Sequence, residues 1–177
     1  MNIVFAVPGL LTDSTSREGK RARQIIRKCV KVVGKARLEP GVIVFTIDNA
    51  FDKRSLATKN AIALEALMTC LTELDMLFLE CRPNTPFLYD TPVYYERTIV
   101  WDTIPALYAR GFGDCKSLAA CRVAELRRIG IPCRPVFRFD SNAHMTMFHI
   151  LVMLADGSFE DPSKIKGMIG PQEAASG

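Results

Sequence analysis

The apolar positions change period several times along the chain, and each change predicts an element. Residues 2–7 form a short apolar run that reads as a buried first strand, closed by the turn pair Pro8-Gly9. Thr12 to Ser16 offers helix-capping residue types. Ala22, Ile25, Ile26, Cys29, Val30 and Val33 then recur at the spacing of one helix face, with Gly34 as a stop. Pro40-Gly41 turns the chain into the β-branched run Val42 to Ile47. A long helix follows from about Lys53 to Glu80. Leu56, Ala63, Leu64, Leu67, Leu71, Leu74 and Phe78 make its core face. Between Ala61 and Leu79 it is apolar on more than one side, which predicts a central helix, and its Met68, Cys70 and Met76 read as packing residues. Pro83, Pro86 and Pro92 impose an extended connection. Arg97 to Arg110 reads as a shorter helix that Pro105 disturbs or restarts.

The second half is punctuated more tightly. Gly111-Phe112-Gly113-Asp114 is a tight loop. Cys115 to Ile129 is a helix with Ala119, Val123 and Leu126 on one face and Gly130 at its end. Val136 to Phe139 and Met147 to Leu154 are strands, Ala155-Asp156-Gly157 is a turn, and Ser158 to Asp161 returns until Pro162 stops it. No repeat and no interdomain linker interrupts the series, so residues 1–177 read as a single α+β domain. With 49% apolar residues it can fill one core.

Charge and cysteine content narrow the classes. The net charge is +4, with the densest basic stretch between Arg17 and Lys35. On a helix that stretch reads as a solvated face, and it lacks the interleaved aromatics of a nucleic-acid module, so no nucleic-acid partner is expected. No apolar run reaches the roughly eighteen residues of a membrane span. The opening run lacks the basic lead and cleavage site of a signal peptide, so a cytoplasmic setting is expected. Ala174 to Gly177 read as a disordered tail. The six cysteines form no C-x-x-C pair and no Cys/His cluster, and no acidic loop offers calcium ligands. Free thiols, no metal and no cofactor are expected.

One cysteine differs from the rest. Cys115 follows Gly113-Asp114 at the start of a helix, where free amide N–H groups and the positive end of the helix dipole favour a thiolate. That environment marks a nucleophile. Gly113 would let a substrate backbone approach, and Asp114 reads as a turn or capping residue. Cys29, Cys70, Cys81, Cys121 and Cys133 read as small buried hydrophobes. A thiolate needs a base, and only two histidines exist. His149 stands in the strand Phe148 to Val152, where it reads either as a satisfied core histidine or as the base. His144 follows a turn-like stretch, Asp140 to Ala143, and is the weaker candidate. Asp161 lies twelve positions after His149 across the predicted hairpin. A two-residue turn would put the pair on opposite faces. A three-residue turn with Gly157 left-handed pairs residues whose numbers sum to 312, setting Asp161 opposite Leu151 on the face of His149. The two would then be diagonal neighbours, roughly 7–8 Å apart.

Gly113-Asp114-Cys115-Lys116-Ser117-Leu118-Ala119, Arg134-Pro135-Val136-Phe137, Phe148-His149-Ile150-Leu151-Val152, Asp156-Gly157 and Asp161-Pro162, in this order, resemble the bacterial and phage transglutaminase-like cysteine enzymes. The resemblance spans about residues 97–165 and leaves residues 1–96 unassigned. It implies a papain-like fold in which a helix beginning at the cysteine packs on an antiparallel sheet carrying histidine and aspartate. It implies Cys115, His149 and Asp161 as nucleophile, base and orienting carboxylate. The chemistry would be hydrolysis of a peptide or isopeptide bond through a thioester, with transamidation as the alternative and a non-catalytic binding module as a third reading. The partner would be a protein or peptide substrate. The oxyanion would be held by the Cys115 N–H and one further donor, for which Trp101 and Tyr108 are candidates against their plainer reading as core aromatics.

Overall fold

In the computed structural model, residues 2–9, 13–47, 53–141 and 146–169 are described, the side chains of 53–60, 140–141 and 146–147 excepted. Thr12, His144, the tail Ala174–Gly177 and the side chain of Leu56 lie outside the described residues.

The first strand, β1 (Asn2–Ala6), lies in the middle of a four-stranded sheet. Helix α1 (Arg17–Val33) follows, capped by Ser16, whose Oγ accepts the Gly19 N–H at 2.9 Å. It buries Ala22, Ile26, Cys29 and Val33, the residues that its apolar period marks. Strands β2 (Gly34–Glu39) and β3 (Val42–Ile47) form a hairpin about Gly41, whose φ of 72° is the left-handed conformation the turn needs. β2 has no counterpart among the elements read from sequence. Its Lys35, Arg37 and Glu39 are exposed, so it carries no apolar alternation; β3 supplies that instead, with Ile43, Phe45 and Ile47 buried. Charged side chains on an edge strand also discourage pairing with other molecules.

Helix α2 (Lys53–Cys81) is central: Ala63, Leu67, Met68, Cys70, Leu71, Leu74 and Leu77 are all buried, and α1 packs on it. A 3₁₀ turn (Leu88–Asp90) and strand β4 (Tyr94–Tyr95) occupy the proline-rich connection.

The helix expected over Arg97–Arg110 is corrected by the structure. Val100–Asp102 is a strand, β5, paired parallel with β1, and only Ile104–Arg110 is helical (α3). Pro105 stands in the first turn of α3, where its missing N–H costs nothing. Trp101 decides the matter: as a strand residue it stacks on Phe5 with ring centroids 5.4 Å apart. Thr103 gives α3 no side-chain cap; Asp75 of α2 accepts the Ile104 N–H at 2.7 Å instead.

Strand β6 (Phe112–Gly113) pairs parallel with β4 inside the predicted tight loop. Helix α4 (Cys115–Arg128) then crosses the core and packs against α2. Strands β7 (Cys133–Ser141), β8 (Thr146–Leu154) and β9 (Phe159–Glu160) make an antiparallel sheet against α4. The short helix α5 (Pro162–Ile165) completes the described chain. The fold is mixed α+β, as expected, although the two other sheets contain parallel pairs that the sequence did not announce. Apolar side chains from β1, α1, β3, α2, α4 and β8 form one continuous core. Among the described residues no helix is long and apolar enough to cross a membrane.

Candidate active site

Cys115 is the first residue of α4 and only 8% exposed. The helix starts there because Asp114 is extended and its carboxylate accepts the Lys116 N–H at 3.2 Å. The same carboxylate pairs with the Lys116 ammonium, which also donates to the Thr98 carbonyl at 3.1 Å. Lys116 is itself buried, so this ion pair fixes the helix start and draws the Glu96–Ile99 segment onto it. Gly113 has a packing reason to be glycine: a Cβ there would meet Leu107 Cδ1 at 2.5 Å. Ser117 Oγ accepts the Asp102 N–H at 2.9 Å and so ties β5 to the first turn of α4.

His149 lies on β8 and Asp161 just beyond β9. Val152 pairs with Glu160 and Met153 with Phe159, so paired numbers sum to 312, and Gly157 has φ 84°. The three-residue turn therefore exists, and Asp161 shares the side of His149. His149 Nε2 lies 3.1 Å from Asp161 Oδ1 and 3.0 Å from Oδ2. Asp161 also caps α5, accepting the Lys164 N–H at 3.2 Å. With Nε2 committed to the carboxylate, Nδ1 is the ring nitrogen left for another partner, and Cys115 is near enough to influence the ring. The Asp161 bond, then the Cys115 bond, push the His149 pKa up to about 9 against the opposing effect of burial. Burial alone would raise the Asp161 carboxyl, but its bonds to His149 and Lys164 outweigh that and hold it below the usual range.

The helix bearing the cysteine and the strand leading to the aspartate are tied together. Arg122 of α4 grips Glu160 with Nε–Oε2 at 2.8 Å and a second bond at 3.1 Å. Tyr89 donates to the same carboxylate at 3.1 Å. Glu160 immediately precedes Asp161, so this clamp sets how far the carboxylate stands from α4.

Of the aromatic candidates for a second oxyanion donor, Tyr108 is engaged elsewhere and Trp101 is packed in the core that also holds Cys115. Tyr108 donates to the Pro86 carbonyl at 2.9 Å and stands beside Cys121 and Glu125. Trp101 is a core residue, 2% exposed, with the Lys116 ammonium 5.8 Å from its ring centroid. The fold instead brings up Tyr95, which the sequence reading passed over. Its strand pairs Tyr95 with Gly113, two residues before the cysteine. Burial raises the Tyr95 pKa, a bond to Arg97 opposes this, and the nearby charge of Cys115 adds to the rise. Only the strand pairing identifies it, and β4 is too short to leave a sequence pattern. Asp102 was also missed. It is fully buried, its Oδ1 accepts from Arg110 at 3.0 Å, and its Oδ2 has no partner. Burial pushes its pKa up to about 6, against the pull of Arg110.

Of the remaining cysteines, Cys29, Cys70 and Cys121 are buried as expected, whereas Cys133 is half-buried and Cys81 is exposed at the end of α2. All six are free. Among the described residues no cluster of His, Cys, Asp or Glu could hold a metal ion.

Residues 77–159 match the family model of the transglutaminase-like superfamily. The matched stretch begins inside α2, includes Cys115 and His149, and ends two residues before Asp161. No curated protein and no solved structure matches the chain significantly. The likeness of this chain to the transglutaminase-like superfamily is thus carried by residues 77–159.

Proposed function

We propose that the protein is a thiol amidase that cleaves peptide or isopeptide bonds of a protein or peptide substrate, with Cys115 as nucleophile, His149 as base and Asp161 as the group that orients the base. The observation that carries this reading is the bond from His149 Nε2 to both Asp161 oxygens, on a ring whose pKa the neighbouring Cys115 also raises. A carboxylate on Nε2 keeps a proton there and leaves Nδ1 to exchange a proton with sulfur.

The reaction then runs in two halves. The Cys115 proton moves to Nδ1, and sulfur attacks the amide carbonyl. The Cys115 N–H, at the first position of α4 and without an acceptor among the described residues, faces the developing oxyanion, and the Tyr95 hydroxyl is the second donor. The tetrahedral intermediate collapses as the imidazolium gives its proton to the leaving amine, and a thioester remains. Water then gives up a proton to His149, attacks the thioester and releases the acid with the thiol restored. Asp161 stays ionised throughout and stabilises the cation.

The test is amidase activity against a pool of fluorogenic peptide amides. Cys115→Ala should abolish turnover with the circular dichroism spectrum unchanged, and Cys121→Ala should leave turnover intact. Equal losses in the two variants would show that Cys115 is not the nucleophile. Adding a primary amine separates the transamidation arm: amide product forming in place of acid would assign acyl transfer to amines.

A further inference from the structure

The charge of the chain is concentrated at one pole. Residues 17–35 contain eight Lys or Arg and one Glu, a net of +7; with +4 for the whole chain, the remainder sums to −3. On α1, Arg17, Lys20, Gln24, Arg27, Lys28 and Lys31 fall within an arc of about 100° at 3.6 residues per turn. That arc is opposite the buried stripe Ala22, Ile26, Cys29 and Val33. All six of its side chains are exposed, and its five cations make no ion pair among the described residues. The ridge therefore keeps its full charge toward solvent.

Beside the ridge an open groove of about 610 Å³ runs between α1, α2 and the end of α4, within the size range of ligand sites. Its floor is apolar, with Ile25, Met76, Leu77 and Pro83. Its rim is cationic, with Lys28 shared with the ridge and Arg128 from the last turn of α4. Arg21 is already neutralised by Glu80 at 2.7 Å, and Glu73 stands on the rim. A nucleic acid is poorly suited to this surface, because no aromatic side chain lines the groove for bases to stack on.

We propose that the groove and ridge bind an acidic peptide segment with interspersed apolar side chains. Apolar residues fill the floor, and carboxylates meet Lys28, Arg128 and the α1 ridge. If the proposed amidase reading is right, the groove is an exosite. Arg128 and Cys115 stand at opposite ends of α4, about 20 Å apart at 1.5 Å per residue. An extended chain covers that distance in about six residues.

The experiment uses the full chain as Cys115→Ala, so that binding is read without turnover. Fluorescence anisotropy is measured with a labelled peptide of alternating glutamate and leucine, its glutamine counterpart and a duplex DNA. The acidic peptide should bind, weaken at least about tenfold between low and high salt, and weaken about tenfold again in Lys28→Glu/Arg128→Glu, both surface changes. The glutamine peptide should bind at least about tenfold more weakly. Equal binding of both peptides, or no effect of the charge reversals, would overturn the proposal. Tighter binding of the duplex would overturn it in favour of a nucleic-acid surface. These outcomes are independent of whether the wild-type protein cleaves amides.

Discussion

Asp161 and Cys115 push the His149 pKa up to about 9, and this has two consequences. In the proposed reaction the leaving amine needs the imidazolium proton, so turnover should fall as pH rises through about 9, the value to which Asp161 and Cys115 push the ring. Asp161→Asn removes the larger of the two influences. It should move the alkaline limb of the kcat/KM profile to lower pH and reduce the maximum by roughly a hundredfold or more. In stability, the folded value lies above the ordinary 6.5. The imidazolium therefore contributes stability that is complete below about pH 6.5 and lost as pH rises through about 9. Melting curves of the wild type should decline across that window, and those of Asp161→Asn should decline less. Tyr95→Phe should lower kcat by about ten- to a hundredfold with little change in KM, the signature of a donor acting in the transition state. An unchanged kcat would assign the second donor elsewhere. At this scale the positions of the proposed residues were legible because each sits at a junction: Cys115 at a loop-to-helix boundary, Asp161 one residue past a short strand. The surroundings of Tyr108 were not, because aromatic identity does not reveal which side of a helix a ring will occupy.

Between elements, a few polar contacts set the spacing of the site. Arg122 on α4 holds Glu160 on β9, so the helix that begins at Cys115 and the strand that ends at Asp161 move together. Arg122→Met keeps the stem and removes the fork. It should cost about 1–3 kcal/mol in urea unfolding, less than a fully buried pair, because Glu160 remains 24% exposed. It should also lower kcat more than it raises KM. Asp75 caps α3 from α2 with one oxygen, while its other oxygen is buried without a partner and burial raises its pKa against the Ile104 bond. Asp75→Asn should be tolerated and at pH 8 should be at least as stable as the wild type; Asp75→Leu strands the Ile104 N–H and should cost about 1–3 kcal/mol. Differential scanning fluorimetry separates the two. Elements with their own apolar period, such as α1, α2, α4 and β8, were readable from sequence. β2 and β5 were not: the first is exposed on both faces, and the second is three residues long and takes its place from β1 and the Phe5–Trp101 stack.

Across the whole molecule, the proposed chemistry and the proposed binding surface lie at two ends of one helix. The N-terminus of α4 carries the sulfur, and its C-terminus reaches the basic pole built by α1. The family match covers residues 77–159, so α1 and the four-stranded sheet lie mostly outside it. Phe5, Ile43, Phe45 and Trp101 nevertheless share one core with Ala119, Val123, Ile150 and Val152. Phe45→Ala, far from the sulfur in sequence, should destabilise by about 3–5 kcal/mol.

The most direct measurement is the alkylation rate of each cysteine by iodoacetamide at pH 6, read by mass spectrometry in the wild type and in His149→Ala. An ordinary thiol is almost wholly protonated at that pH. Cys115 should react at least about tenfold faster than Cys81, the exposed cysteine, and should lose that advantage without the imidazole. If all six thiols react at similar slow rates, or if Cys115 keeps its rate in His149→Ala, the sulfur is not activated by His149 and the proposed enzyme has no nucleophile.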